Sequence, residues 1–247
     1  MASKKTDAVK KNFVQIFYAI IAALIIRSFL YEPFSIPSGS MYPNLKVGDY
    51  LFVSKFSYGF SKHSLPFSIP LIPGRIFYEE PERGDIIVFK TPEDNTTDYI
   101  KRLIGLPGDK IRLESNKIFI NGIVIDRVFQ KNEKYKFFDV QKIKENLPNN
   151  KNYNVYEFVK SPTILNTDNF NEVVVPKDSF FVLGDNRDNS QDSRYIGFIP
   201  KKNLVGRAEI VFVSFDTKIG SIFKFWTWYP ALRKDRFFES LRPKISN

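Results

Sequence analysis

Residues 111–125 read Ile-Arg-Leu-Glu-Ser-Asn-Lys-Ile-Phe-Ile-Asn-Gly-Ile-Val-Ile. Asn121-Gly122 stands between two apolar runs, Lys117–Ile120 and Ile123–Ile125. A two-residue type I′ turn needs positive φ at both central positions, which Asn and Gly tolerate better than other residues, so the stretch is predicted to fold back as a β-hairpin. Outward from it, short runs of similar length recur. Tyr50–Val53, Ile86–Lys90, Tyr99–Ile104, Ile111–Leu113, Glu172–Val175, Phe180–Leu183 and Ala208–Phe215 also read as strands. Pro176-Lys177-Asp178 reads as a further strand-connecting turn. No long amphipathic helical pattern interrupts them. The chain after Pro33 is therefore expected to be mainly β, an antiparallel sheet carrying an inserted β-rich subdomain at about 111–180. Within the insertion, Gln130–Asn154 is rich in Lys and Asn and weakly periodic, and reads as peripheral.

Toward the N-terminus the pattern changes. Phe13–Ile26 is 14 residues without a formal charge. Extended to Tyr31 it spans 19 residues, about 28 Å as a helix at ~1.5 Å per residue. Arg27 lies near the end, where a long cation reaches the headgroups. Lys4, Lys5, Lys10 and Lys11 precede the run and predict a cytoplasmic N-terminus. The expected organisation is a cytoplasmic N-terminus at 1–11, one transmembrane anchor at 12–31, an exported β-domain at 32–216 and a separate tail at 217–247. A cleaved secretory signal is the competing reading, but no clear small-x-small site closes the run before Arg27.

The tail carries seven Lys or Arg against two Asp or Glu, with Trp226 and Trp228 among Phe223, Phe225, Tyr229, Phe237 and Phe238. Such a mixture suits a membrane interface and equally a partly packed terminal segment. Binding of nucleic acid is not expected of an anchored, exported chain.

Composition narrows the chemistry. The 247 residues include no Cys and a single His, His63, with a net charge of +10. Disulfides, thiol nucleophiles, Cys-ligated metals and multi-His metal sites are excluded, and no cofactor or metal is expected. His63 lies in a Ser/Phe/Pro-rich loop and reads as incidental.

Three segments are dense in polar and turn-forming residues. Ile36-Pro37-Ser38-Gly39-Ser40-Met41-Tyr42-Pro43 can hold a serine in a fixed pose, or serve as a linker after the anchor. In Tyr99–Asp109, strand alternation puts Tyr99, Lys101 and Leu103 on one face. Burial there would disfavour the charged amine and lower its pKa from ~10.4; a lysine snorkelling from a strand edge is the plainer reading. Gly184–Gly197 is crowded with Asp, Asn, Ser and Arg. A calcium loop started at Asp188 fails, because its glycine position is Ser193 and its glutamate position Ile199. A loop braced by ion pairs fits better.

These segments, taken with their neighbours, resemble the type I signal peptidases. The matching stretches are EPFSIPSGSMYPNLKVGDY (32–50), RGDIIVFK (83–90), YIKRLIGLPGD (99–109) and GDNRDNSQDSRYIGFIP (184–200), followed by NLVGRA (203–208), in the family's order and spacing. The resemblance covers most of 25–215, is weak across 126–170 and is absent in the tail. It implies a membrane-anchored serine endopeptidase that removes signal peptides from exported preproteins by a Ser-Lys dyad. Ser40 is implied as nucleophile and Lys101 as general base. Ser38, with the Ser40 backbone N–H, would form the oxyanion hole. Ser190 and Tyr99 would orient the lysine, while Asp192 with Arg194, and Asp185 with Arg102, would form structural ion pairs. An extended substrate would lie beside Phe34, Ile36, Pro37, Asp98 and Ile100, with Leu45 and Leu51 helping to line shallow apolar pockets for a small-x-small sequence. The implied setting is the bacterial inner membrane, crossed once, with the catalytic domain on the outer, periplasmic side and phospholipid as a partner. A self-cleaving Ser-Lys protein is disfavoured by the lack of a DNA-recognition helix. A non-catalytic anchored β-module would retain its function as Ser40→Ala.

Overall fold

The structure, a computed structural model, describes residues 2–160, 168–220 and 225–245. Phe223 and Lys224, part of the basic aromatic tail, lie outside the described residues.

A single helix runs Ala2–Phe29. Its Lys10–Phe29 portion, 20 residues, is long and apolar enough to cross a membrane. Large side chains stand exposed along it, among them Phe13, Ile16, Phe17 and Ile25. A helix that shows apolar side chains to its surroundings over that length fits a membrane anchor. It ends two residues before the expected limit, because Tyr31–Ser35 is already a strand paired with Asp49–Ser54. Pro33 is tolerated within that strand because it is an edge strand, where no ladder N–H is required on the open side.

The main sheet is antiparallel at each recorded pairing, as expected from the short alternating runs. From the anchor side its order is Tyr31–Ser35, Asp49–Ser54, Leu204–Ser214, Ile86–Lys90, Asp98–Gly105, Ser179–Leu183 and Ile199–Pro200. Its strands contribute Leu51, Val53, Ile86, Val88 and Val211 to one buried cluster, joined by Ile36 and Leu45 from the loop between the first two strands. The long Leu204–Ser214 strand joins the N-terminal third of the chain to its centre.

The hairpin at Asn121-Gly122 is present, with φ of 54° and 81° at its two residues, and Ile120 faces Ile123 across it. A second such turn lies six residues earlier. Ser115 and Asn116 both have positive φ, 49° and 62°, between the paired residues Glu114 and Lys117. With Phe170–Val174 these strands make a separate four-stranded sheet.

Residues 126–158 lie within the expected β-rich insertion, and the weakly periodic Gln130–Asn154 is mostly regular strand. They form three strands, Asp126–Tyr135, Phe138–Asn146 and Lys151–Phe158, in an antiparallel sheet. Alternation is faint in the first because most of its residues are exposed. A strand with solvent on nearly all of one face and part of the other carries little period-two signal.

The tail packs rather than projecting. Arg236 is buried, and its Nε and Nη2 donate to Asp49 at 3.0 and 2.7 Å. Trp226, Tyr229 and Phe238 remain exposed.

Candidate active site

The loop carrying Ser40 is fixed at both ends. Before it, Ile36 donates its N–H to Asp49 O and accepts from Gly48 N–H, at 2.9 and 3.0 Å. After it, Leu45 is buried. From the opposite side Asn186 straps the loop twice: its backbone N–H donates to Ser40 O at 3.0 Å and its side-chain amide to Gly39 O at 2.9 Å. Ser40 is thus held by a residue 146 positions away in sequence.

Gly39 is required by close approach rather than by unusual φ. A Cβ built there would lie 2.0 Å from Oη of Tyr135, at the tip of the inserted hairpin. Tyr135 Oη accepts from Asn189 Nδ2 at 3.1 Å, and its ring lies 4.9 Å from that of Tyr42. Gly184 is constrained likewise, since a Cβ there would meet Ser190 Oγ at 2.1 Å and Ser40 O at 2.7 Å.

Lys101 sits on the Asp98–Gly105 strand and is only 4% exposed. Its Nζ donates to Ser40 Oγ at 2.8 Å. Ser38 Oγ lies 3.4 Å from Ser40 Oγ on the open side. The amine is 5.3 Å from the Tyr99 ring centroid, and Tyr99 Oη donates to Gln191 at 3.3 Å. Burial lowers the Lys101 pKa from 10.5 to about 8; the negative charges of Asp192 and Asp185 work against that shift, and Arg194 adds to it.

Those acids have partners of their own. Arg194 forks onto Asp192, Nε at 2.8 Å and Nη2 at 2.9 Å, and Gly184 N–H donates to the same carboxylate at 2.9 Å. Burial acts to raise the Asp192 pKa, but these partners overcome it and hold the carboxyl below its usual range. Arg102 forks onto Asp185 with both bonds at 2.7 Å, and lies over the Tyr153 ring. Ser190 Oγ is buried and leans toward Asp192, helping to keep it ionised, but it meets no partner in hydrogen-bond geometry among the described residues. The dyad amine is therefore in direct contact with Ser40, not with Ser190.

A groove of about 880 Å³ runs past the dyad, walled by Phe34, Ile36, Pro37, Asp98, Ile100 and Lys101 among others. Leu45 and Leu51 do not reach it. Both are completely buried behind it, in the cluster on which Phe34 and Ile100 pack. The groove is bordered by two open strand edges. Tyr31–Ser35 pairs on one side only, and Asp98–Lys101, paired with Ile87–Lys90, has no second neighbour among the described residues.

Several contacts had no signal in the sequence. Glu32 pairs with Arg27 at 2.6 Å and with buried Lys55 at 2.7 Å, tying the end of the anchor to the sheet. Lys55 also donates to the carbonyls of His63 and Ser64 at 3.0 and 3.1 Å. His63 itself lines a smaller cavity beside the groove rather than the dyad, and burial lowers its pKa to about 4. Arg187 joins the Gly184–Gly197 loop to the insertion through two 2.6 Å bonds to Glu145. Only the density of polar residues in 184–197 hinted that this loop would be a hub.

Residues 9–213 match the family described as Signal peptidase, peptidase S26. Signal peptidase I of Rickettsia typhi is 40% identical over 257 aligned residues, covering 97% of this chain and 96% of that protein. Signal peptidase I of Rickettsia prowazekii is 41% identical over 260 aligned residues, with 97% and 96% covered. A crystal structure of a signal peptidase I from Enterococcus faecalis V583 is 28% identical and covers 52% of this chain and 97% of that one, with a TM-score of 0.32. The order of motifs around Ser40 and Lys101 and the match across most of the length lead to one conclusion: this chain belongs to the signal peptidase family, peptidase S26.

Proposed function

We propose that this chain is a membrane-anchored serine endopeptidase that cuts signal peptides from exported preproteins, with Ser40 as nucleophile and Lys101 as general base. The observation that carries the proposal is the 2.8 Å contact between Lys101 Nζ and Ser40 Oγ at a buried amine. Lowering an amine pKa from 10.5 to about 8 raises its neutral fraction near pH 7 about 300-fold.

Neutral Lys101 takes the Ser40 hydroxyl proton as Oγ bonds to the scissile carbonyl carbon. The carbonyl electron pair moves to oxygen, where the Ser38 hydroxyl and the Ser40 N–H hold it. Collapse breaks the C–N bond, and the Lys101 ammonium gives its proton to the leaving amine. Lys101 then deprotonates a water, which attacks the acyl-enzyme carbonyl and releases Ser40 with its proton restored. Tyr99 and Ser190 keep the lysine aimed, the first under the amine and the second through Asp192. The Asp192–Arg194 and Asp185–Arg102 pairs hold the loop and strand in place.

An extended substrate adds as a strand between the two open edges, beside residues 34–38 and 98–100. Phe34, Ile36, Pro37 and Ile100 leave shallow pockets that admit small side chains before the cut, the small-x-small pattern. The anchor crosses the bacterial inner membrane at about 12–29 with Lys4, Lys5, Lys10 and Lys11 in the cytoplasm, leaving the domain that begins with the Tyr31–Ser35 strand as the catalytic unit on the outer side. Phospholipid then surrounds the helix.

Cleavage of a model preprotein by wild type, Ser40→Ala and Lys101→Ala tests the proposal. Wild type is expected to cut, and to be labelled by a serine-acylating inhibitor. Both variants are expected to fold and not to cut. Normal turnover by either variant would overturn the assignment.

A further inference from the structure

Beyond the dyad, the groove continues to the tip of the inserted hairpin. Lys136 and Asn189 line that end, as Arg27 and Glu32 line the end next to the anchor. Tyr135 docks the tip by placing its hydroxyl against Gly39, between Ser38 and Ser40. Lys136 follows it at the turn with φ of 55°, exposed, its amine 5.5 Å from the Tyr135 ring centroid. Its hairpin neighbour Lys134 is paired with Asp139 at 2.6 Å. Lys136 has no carboxylate partner among those recorded for the described residues, so its cation is open to the groove.

We infer that Lys136 is a specificity-determining residue, favouring acidic side chains in the first few residues after the cut. The inference rests on the signal-peptide reading above, which sets the direction of the substrate. The hydrophobic part of a signal peptide lies in the membrane, so the chain enters the groove at the Arg27–Glu32 end. It passes Phe34 and Ile100, is cut at Ser40, and leaves toward Lys136. The residues leaving are the N-terminus of the mature protein. An Asp or Glu there meets an unneutralised cation; a Lys or Arg meets a like charge.

The test is a set of membrane-reconstituted cleavage assays on the full chain with three model preproteins. They differ only at the second residue after the cut, which is Asp, Ser or Lys. The readout is the ratio of kcat/KM for Asp over Lys within each enzyme, which cancels differences in overall activity. Wild type is expected to favour Asp about threefold to fivefold at low salt, the scale of one exposed ion pair. The preference should fade at high salt. Lys136→Gln should bring the ratio close to one, Lys136→Glu should invert it, and Lys134→Glu on the same hairpin should leave it as in wild type.

An unchanged ratio in Lys136→Glu, with robust cleavage of all three substrates, overturns the inference and leaves the peptidase reading intact. An equal change in Lys134→Glu also overturns it, because the effect would then come from net charge alone. Failure of wild type to cut any of the three removes both.

Discussion

The hydroxyl of Tyr135 occupies the space that a side chain at Gly39 would fill, with a Cβ there only 2.0 Å from Oη. One atom of the insertion thus leaves no room for a side chain in the loop between the two serines. That loop also has to hold Ser40 Oγ 2.8 Å from the Lys101 amine. Small displacements at a site of this kind cost large factors in rate.

Gly39→Ala is expected to lose about 100-fold or more in kcat/KM while remaining folded, because its methyl must push Tyr135 or the loop aside. Combined with Tyr135→Phe, the nearest remaining atom is Cζ at 3.1 Å. Part of the activity should then return. Preprotein cleavage by the two single variants and the double variant measures this, and a double variant no better than Gly39→Ala would show that the hydroxyl is not the obstacle.

On the proposed mechanism, which needs the neutral amine of Lys101, cleavage should rise with pH and level off above about 8. The same group makes stability depend on pH. Its folded pKa lies below the unfolded value of 10.5, so between about 8 and 10.5 the unfolded chain binds a proton that the folded chain does not. Stability attributable to this site therefore increases with pH across that window, by about 3 kcal/mol in total. Below pH 8 the cost of burying the cation is present in full. Chemical denaturation of wild type against Lys101→Met at pH 7 and pH 10 should show wild type gaining on the variant.

Asp192 opposes the lowered pKa of Lys101. Asp192→Asn removes that negative charge and leaves the Arg194 charge, which already disfavours the charged amine, less compensated, so the acid limb of the pH–rate profile should move to lower pH. It also leaves Arg194 without its 2.8 Å partner, at a cost of about 3 kcal/mol in stability. A pH–rate profile shifted the other way would mean that Asp192 acts on the lysine through position rather than charge.

Arg236 holds the tail to Asp49, a carboxylate with no exposed surface. Arg236→Ala takes away the carboxylate's forked partner and leaves it Arg233 at 4.0 Å with the Ser214 hydroxyl and the Lys46 N–H, and should destabilise the domain by about 1–3 kcal/mol. Asp49→Asn with Arg236→Met should cost less than the single change, because no buried charge is left over. Thermal melts of the single and double variants decide the matter.

Ile100 lines the groove and packs on the cluster containing Leu45 and Leu51. On the proposed substrate path, Ile100→Ala deepens the groove wall, so larger residues should be accepted before the cut. Sequencing the products from a substrate library would reveal the change, and an unaltered spectrum would remove Ile100 from the specificity pocket.

The β-fold was legible in short runs with turn residues between them, because strand alternation and turn chemistry are local properties of the chain. Asn121-Gly122 announced its hairpin, whereas Ser115-Asn116 adopts the same positive φ without so clear a signature. Alternation was faint in Asp126–Tyr135 because solvent reaches most of its residues, which leaves composition free to wander. At the site, the order of motifs drew attention to Ser40, Lys101 and the Asp and Arg residues. It carried no trace of Tyr135 or Arg236, and gave Asn186 no role although that residue lies within the 184–200 stretch.

The sequence by itself determined which segments cross, pair and turn, since a residue's neighbours along the chain set its local conformation and its share of apolar surface. Only the tertiary structure decided which polar groups meet. Asp49 and Arg236 are 187 positions apart, Asn44 and Asp185 are 141, and Lys101 and Ser40 are 61. No local period links such partners. Their contact follows from the sheet order, and the lowered basicity of Lys101 follows in turn from the hydrocarbon that this order packs around it.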